Sequence, residues 1–245
     1  MTECRTIAVA SGKGGVGKTW FAITLAHALA RRGSQVLLFD ADLGLANVDI
    51  QLGLTPRQDL GSVFSGRATL ADATMCHAEG GFAILAGRSG SGALSAIDPA
   101  ALERMLTALG ELSTGYDWVL LDLGAGLDHA VRRMAAWADV LLVLATEEPT
   151  SLTDAYAVMK LYATDRARGD VRVVVNQATT RQAGERTFAT LQRACQTFLG
   201  SAPTLAGVVR RDDRVRDAIR RQSLLLSRHP TSGAATDVEA VAGLL

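Results

Sequence analysis

Ser11-Gly12-Lys13-Gly14-Gly15-Val16-Gly17-Lys18-Thr19 follows the apolar run Ile7-Ala8-Val9-Ala10 and precedes an amphipathic stretch, and this segment decides the fold. Gly12, Gly17, Lys18 and Thr19 satisfy the phosphate-loop pattern G-x-x-x-x-G-K-[ST], in the strand-to-helix setting that the pattern requires. Glycines let backbone N–H groups turn inward around an anion with no Cβ in the way. A helix beginning near Lys18 aims its positive dipole end at the same anion. In such a loop the lysine reaches the β and γ phosphates and the Thr19 hydroxyl ligates Mg2+. Lys13, Lys18 and Lys160 are the chain's only lysines, and two of them fall in this loop. A compact, rotatable ammonium serves there where a planar guanidinium does not. The rival reading is a glycine-rich turn that matches by chance, and the flanking strand and helix patterns weigh against it.

The run K-G-G-V-G-K-T, with Lys13 directly after the first glycine, resembles the deviant Walker A motif of the MinD/ParA family of ATPases. That resemblance implies ATP and Mg2+ as ligands, and a homodimer formed on ATP in which Lys13 reaches the nucleotide of the partner subunit. The stretch D-A-D-L-G-L-A-N-V-D-I-Q-L-G-L, residues 40–54, resembles switch I of the flagellar FlhG/FleN branch. By that match Asp42 holds or orients the attacking water and the Mg2+ shell, and Asn47 helps form the nucleotide-dependent dimer surface. A carboxylate is a weak base at neutral pH, so Asp42 is expected to orient water more than to abstract a proton. For Asp40 a helix or turn cap is an equal alternative.

Trp118-Val119-Leu120-Leu121-Asp122 has the Walker B form, a buried parallel strand that delivers a carboxylate towards Mg2+. Leu123-Gly124-Ala125-Gly126 then stands as switch II, departing from relatives at Leu123, where a small polar residue is usual. E-P-T-S-L-T-D-A-Y, residues 148–156, again resembles the flagellar branch. Thr150 or Ser151 is read as the helix N-cap beside Pro149. By position Asp154 pairs with Lys13 in one nucleotide state, or is simply an exposed helical aspartate. Asn176, at the end of the run 171–175, resembles an adenine reader, with a left-handed turn residue as the alternative. Asp212 lies in G-V-V-R-R-D, which aligns with a family segment G-x-[IV]-P-x-D bordering the base. Arg210 replaces its proline, so a less constrained loop is expected.

The resemblance thus implies Lys13, Lys18 and Asp42 in catalysis. It implies Gly12, Lys13, Gly14, Gly15, Val16, Gly17, Lys18, Thr19, Asn176 and Asp212 around the nucleotide. Thr19, Asp42 and Asp122 are implied at the metal.

With 245 residues the chain suits one α/β domain spanning residues 1–245. The expected fold is the three-layer P-loop NTPase architecture, a mostly parallel twisted sheet of about seven or eight strands with helices on both faces. Formal net charge is zero, which favours neither nucleic acid nor an anionic membrane as a global partner. Cys4, Cys76 and Cys195 are odd in number and widely spaced, against a disulfide framework, a zinc site or a cluster carrier. No apolar run approaches the ~20 residues of a membrane span, and the first strand starts almost at once, so a cytoplasmic protein is expected.

Along the chain, Phe21, Leu25, Ala28 and Leu29 recur at helical spacing up to Arg31-Arg32-Gly33, and Trp20 is read as packing. Residues 55–81 read as mixed turn and helix, with His77 structural or exposed. Residues 82–86 read as strand and 87–94 as a mobile surface loop. Helices are expected over 100–112 and 183–198, and strands over 36–39, 140–145 and 205–209. Arg210, Arg211, Arg214, Arg216, Arg220 and Arg221 are interleaved with Asp212, Asp213 and Asp217, which favours a solvated amphipathic helix over a DNA surface. The tail 231–245 reads as a helix whose stripe of Val238, Val241, Leu244 and Leu245 packs on the sheet.

Residues 1–245 show neither the basic membrane-targeting helix of many relatives nor the N-terminal extension by which some flagellar relatives stimulate the signal-recognition-type GTPase FlhF, so no direct membrane anchor is expected. What the resemblance implies is an ATP-dependent dimerising switch with slow hydrolysis, controlling flagellar number or placement. FlhF or a similar flagellar assembly protein is the expected partner, through which any polar placement would come. The alternatives are a nucleotide-gated scaffold without significant turnover and a DNA-associated cargo-positioning ATPase.

Overall fold

The computed structural model describes residues 4–87 and 97–245. The loop read over 87–94 lies outside the described residues apart from Gly87. Eight strands form one sheet in the order β3-β4-β2-β5-β1-β6-β7-β8. They are β1 (Arg5–Ala10), β2 (Val36–Ala41), β3 (Thr74–His77), β4 (Phe82–Leu85), β5 (Trp118–Leu123), β6 (Val140–Ala145), β7 (Asp170–Ala178) and β8 (Thr204–Arg210). Every pairing is parallel except that of β3 with β4. The expected three-layer, mostly parallel architecture is what the chain adopts.

Alternation along the strands sorts the helices to two faces. In β1, Ile7 and Val9 point to one side and Ala8 and Ala10 to the other. The first side is covered by α1 (Lys18–Arg31), α2 (Val48–Leu52), α10 (Leu225–Arg228) and α11 (Gly233–Ala242). The second carries α3 (Leu60–Phe64), α4 (Leu70–Ala73), α5 (Pro99–Ser113), α6 (His129–Trp137), α7 (Pro149–Asp165) and α8 (Arg181–Leu199). The helix α9 (Asp213–Arg220) lies beyond the end of β8. Because both faces are buried, the central strands read as continuous apolar runs, with β6 (V-L-L-V-L-A) wholly buried.

Beside the short α2 and α10, which the reading of the sequence did not place, two further elements differ from it. Residues 74–77 form the antiparallel edge strand β3 where turn and helix were expected. Four residues are too few to show alternation, and the Gly80-Gly81 pair closing the hairpin, with Gly81 at φ +68°, was the usable sign. The other is α6, begun by Asp128, whose side chain accepts the Val131 N–H at 3.0 Å. The N-cap of α7 also moves. Glu148 occupies it and Pro149 takes the first helical position, because a proline has no N–H to leave unsatisfied there. Ser151 instead accepts the Thr146 N–H at 2.9 Å, tying the helix back to β6.

Candidate functional site

The phosphate loop leaves β1, the strand flanked by β5 on one side and β6 on the other, where an open α/β sheet forms its crevice. Gly15 and Gly17 stand at φ +82° and +89°, a region that only glycine enters without strain. Gly17 is also the N-cap of α1 and provides no side-chain cap, which leaves the first N–H groups of the helix available to an anion. Gly12 is needed for a different reason. A Cβ there would lie 2.5 Å from the Asp154 carbonyl oxygen, so α7 can approach the loop only against a glycine.

Beneath the loop four sequence-predicted residues meet. Thr19, on the first turn of α1, hydrogen-bonds Asp122 on β5, and Lys18 and Asp42 act on the same carboxylate by charge. Asp122 is buried, and burial pushes its pKa up to about 7 against the Thr19 hydrogen bond and the Lys18 charge. Its Oδ1 has no hydrogen-bond partner among the described residues. Burial lowers the pKa of Lys18, with the Asp122 and Asp42 carboxylates opposing it. Asp42 folds its Oδ1 over the N–H groups of Gly44 and Leu45 at 3.3 and 2.9 Å. Gly124, just past β5, leaves room for it, since a Cβ there would lie 3.3 Å from that oxygen.

These groups fit Mg2+. An orphaned buried carboxylate oxygen, a hydroxyl and a second carboxylate are hard oxygen donors, and Mg2+ is held by one or two carboxylates while keeping several waters. No cluster of three or more His, Cys, Asp or Glu suited to a metal occurs among the described residues, in keeping with so sparse a donor set.

Asp40 resolves as a cap. It is fully buried, faces Asp122 across the β2–β5 register, and accepts the N–H groups of Asn47 and Val48, both at 2.9 Å. Burial, with the Asp122 charge beside it, pushes its pKa up to about 8. Asp40 therefore shapes the loop 42–47 from below, while Asn47 is exposed and turns its amide to the Leu45 carbonyl.

Lys13 is 41% exposed at its side chain and bonds Glu148 Oε2 at 2.7 Å and Thr150 Oγ1 at 3.2 Å. Asp154 is not its partner here and packs by its backbone on Gly12 instead. Asn176 donates from Nδ2 to the Val16 carbonyl at 2.8 Å, and Gln177 donates to Gly15 at 3.2 Å. The left-handed residue at this strand end is Gln177, at φ +56°, which also marks the bulge between β7 and β8. Reasoning from the sequence missed Gln177 as a clamp on the loop, and its place beside Asn176 was the one hint.

Asn176, Trp20 and Asp212 line a cavity of about 290 Å3 beside Gly15 and Gly17. Trp20 is core, as expected, and also a wall of this cavity. Asp212 is the N-cap of α9, accepting the Arg214 N–H at 3.0 Å. The expectation of a less constrained loop at Arg210 is overturned. Its backbone N–H and guanidinium bind Asp237 of α11 at 2.8 to 3.0 Å, replacing the stiffness of a proline with an ion pair.

Residues 7–225 match the family model of the CobQ/CobB/MinD/ParA nucleotide binding domain. The antiactivator FleN of Pseudomonas aeruginosa is 38% identical over 242 residues, 99% of this chain and 86% of that protein. The chain belongs to the MinD/ParA family. It is thus a P-loop ATPase using ATP and Mg2+, and FleN is a MinD-like ATPase of the flagellar type. The flagellum site-determining protein YlxH of Helicobacter pylori is 29% identical over 241 residues, 98% of this chain and 81% of that protein. The septum site-determining protein MinD of Pyrococcus horikoshii, solved in complex with Mg-ADP, superposes with a TM-score of 0.81 at 25% identity, covering 98% of this chain and 95% of that one.

Proposed function

We propose that residues 1–245 act as one nucleotide-binding domain, an ATP-dependent dimerising switch with slow hydrolysis that regulates flagellar number or placement. The observation that carries this reading is the buried Asp122 beside the half-buried Thr19, with an unpartnered carboxylate oxygen, under a glycine loop that also presents Lys18. Similarity to the flagellum site-determining protein YlxH, together with that to the antiactivator FleN, supports the flagellar part.

In this reading the N–H groups of Gly12, Gly14, Gly15, Val16 and Gly17 cradle the phosphates and Lys18 neutralises the terminal ones. Thr19, Asp42 and Asp122 hold Mg2+, which when bound offsets charge on the phosphate oxygens. Asp42 orients the attacking water. Asn176 and Asp212 border the adenine. Lys13 leaves Glu148 to reach the nucleotide of the partner subunit. An ion pair this exposed is worth no more than about 1 kcal/mol, so exchanging partners costs little. A flagellar assembly protein, with the GTPase FlhF as first candidate, is the binding partner and brings the protein to the cell pole.

The test compares oligomeric state with ATP, ADP and a nonhydrolysable analogue. Lys18→Ala is expected to abolish nucleotide binding. Lys13→Ala should bind nucleotide and stay monomeric, its dimer weakened roughly thirty-fold to several thousand-fold. Normal ATP-dependent dimerisation of Lys13→Ala would sink the model.

A further inference from the structure

Asp237 is fully buried, yet it is a carboxylate on α11. It is satisfied from two other elements. Arg210, the last residue of β8, donates its backbone N–H at 3.0 Å, Nε at 2.8 Å and Nη2 at 3.0 Å, and Arg181 at the start of α8 donates Nη2 at 3.1 Å. Immediately after Arg210, Arg211 and Asp212 line the cavity next to the phosphate loop. Asp212 is held from the same helix. One of its oxygens caps α9, and the other faces the Ala234 N–H in the first turn of α11 at 3.4 Å. The helix thus grips the cavity wall 210–212 at both ends.

The rest of α11 is anchored independently. Val238 and Val241 are buried, and a Cβ on Gly207 of β8 would lie 2.6 Å from Val241 Cγ2, so helix and strand meet at closest approach. Among the described residues no hydrogen bond runs from α11 to the loop 11–17.

We propose that docking of α11 and occupancy of this cavity by the nucleoside are coupled through Asp237, which acts as a positioning residue for Asp212. The inference rests on the nucleotide reading above. A buried carboxylate cannot give up its guanidinium partner by degrees. It stays paired or it hydrates, and hydration displaces the first turn of α11 and frees the wall. Coupling of this kind is reciprocal, so whatever tightens the wall also tightens the helix. The phosphates, bound by the loop, lie outside this linkage.

Amide hydrogen exchange on the unmodified protein tests this, with Mg-ADP and Mg-tripolyphosphate each at saturation. Mg-ADP is expected to slow exchange in both the phosphate loop and residues 233–242, the latter about tenfold, whereas tripolyphosphate slows the loop alone. In Asp237→Asn the dissociation constant for ADP should rise about tenfold and that for tripolyphosphate should not change. Protection of the loop by ADP without protection of α11, or ADP binding to Asp237→Asn at wild-type strength, would overturn the coupling. Protection of neither segment by ADP would overturn the nucleotide reading itself, a distinguishable failure.

Discussion

Gly17 concentrates several demands on one backbone position. Its φ of +89° excludes a β-carbon on conformational grounds, and an added Cβ would also lie 2.7 Å from Asn176 Nδ2. Gly17→Ala is therefore expected to destabilise the protein by about 1–3 kcal/mol and to abolish ADP binding. Thermal unfolding without nucleotide and a calorimetric titration measure the two effects, and an unchanged melting temperature with intact binding would refute them. Trp20 separates from Gly17 in kind. It fills core and cavity wall together, so Trp20→Ala should cost about 3–5 kcal/mol and weaken ATP binding, while Trp20→Phe should recover most of the stability. Equal melting temperatures for Trp20→Ala and wild type would show that the ring is not core.

At the scale of the element, α1 carries an unusual histidine. His27 is buried, its Nδ1 has no partner among the described residues, and burial together with the Arg31 charge pushes its pKa down to about 4. Between its ordinary 6.5 and about 4, the unfolded chain binds a proton at this residue and the folded chain does not. Stability is thus fully present above the unfolded value and is lost as pH falls through this window, levelling off below it. His27→Leu should flatten the slope, read by urea unfolding at pH 7, 5.5 and 4.5. A slope identical to wild type would place the responsible groups elsewhere. The element that surprises most is α11. Its two acidic residues are paired within the protein, Asp237 with Arg210 and Arg181, and Glu239 with Arg31 at 3.0 Å.

For the whole molecule the consequence concerns membranes and assembly. Among the described residues no helix is long and apolar enough to cross a bilayer. Val238 and Val241, half of the expected stripe on α11, are spent against the sheet, and Leu244 is 69% exposed. Chain 1–245 is expected to stay in the supernatant with anionic vesicles and Mg-ATP. There is no lysine or arginine in α11 to add the roughly 1 kcal/mol of attraction that each supplies. Strong ATP-dependent pelleting would mean that the helix undocks. Asp42→Ala, lacking the carboxylate proposed to orient water, should retain ATP and accumulate as dimer, followed by light scattering. A monomeric variant with undiminished hydrolysis would place the catalytic aspartate elsewhere.

What the sequence determined by itself lies in contiguous signals. A glycine loop between an apolar run and an amphipathic one, and a second apolar run closing in Asp122, each carry their meaning within about ten residues. Such runs specify strand, turn and helix, and the parallel layered sheet follows from their alternation. Only the tertiary structure decided who partners whom. Lys13 meets Glu148 across 135 positions and Arg210 meets Asp237 across 27. Burial of Asp40 opposite Asp122 depends on β2 and β5 being neighbours in the sheet. Charge pairing acts over a few ångströms in space and leaves no period or spacing in the chain, so proximity created by strand order is the one thing that reveals it.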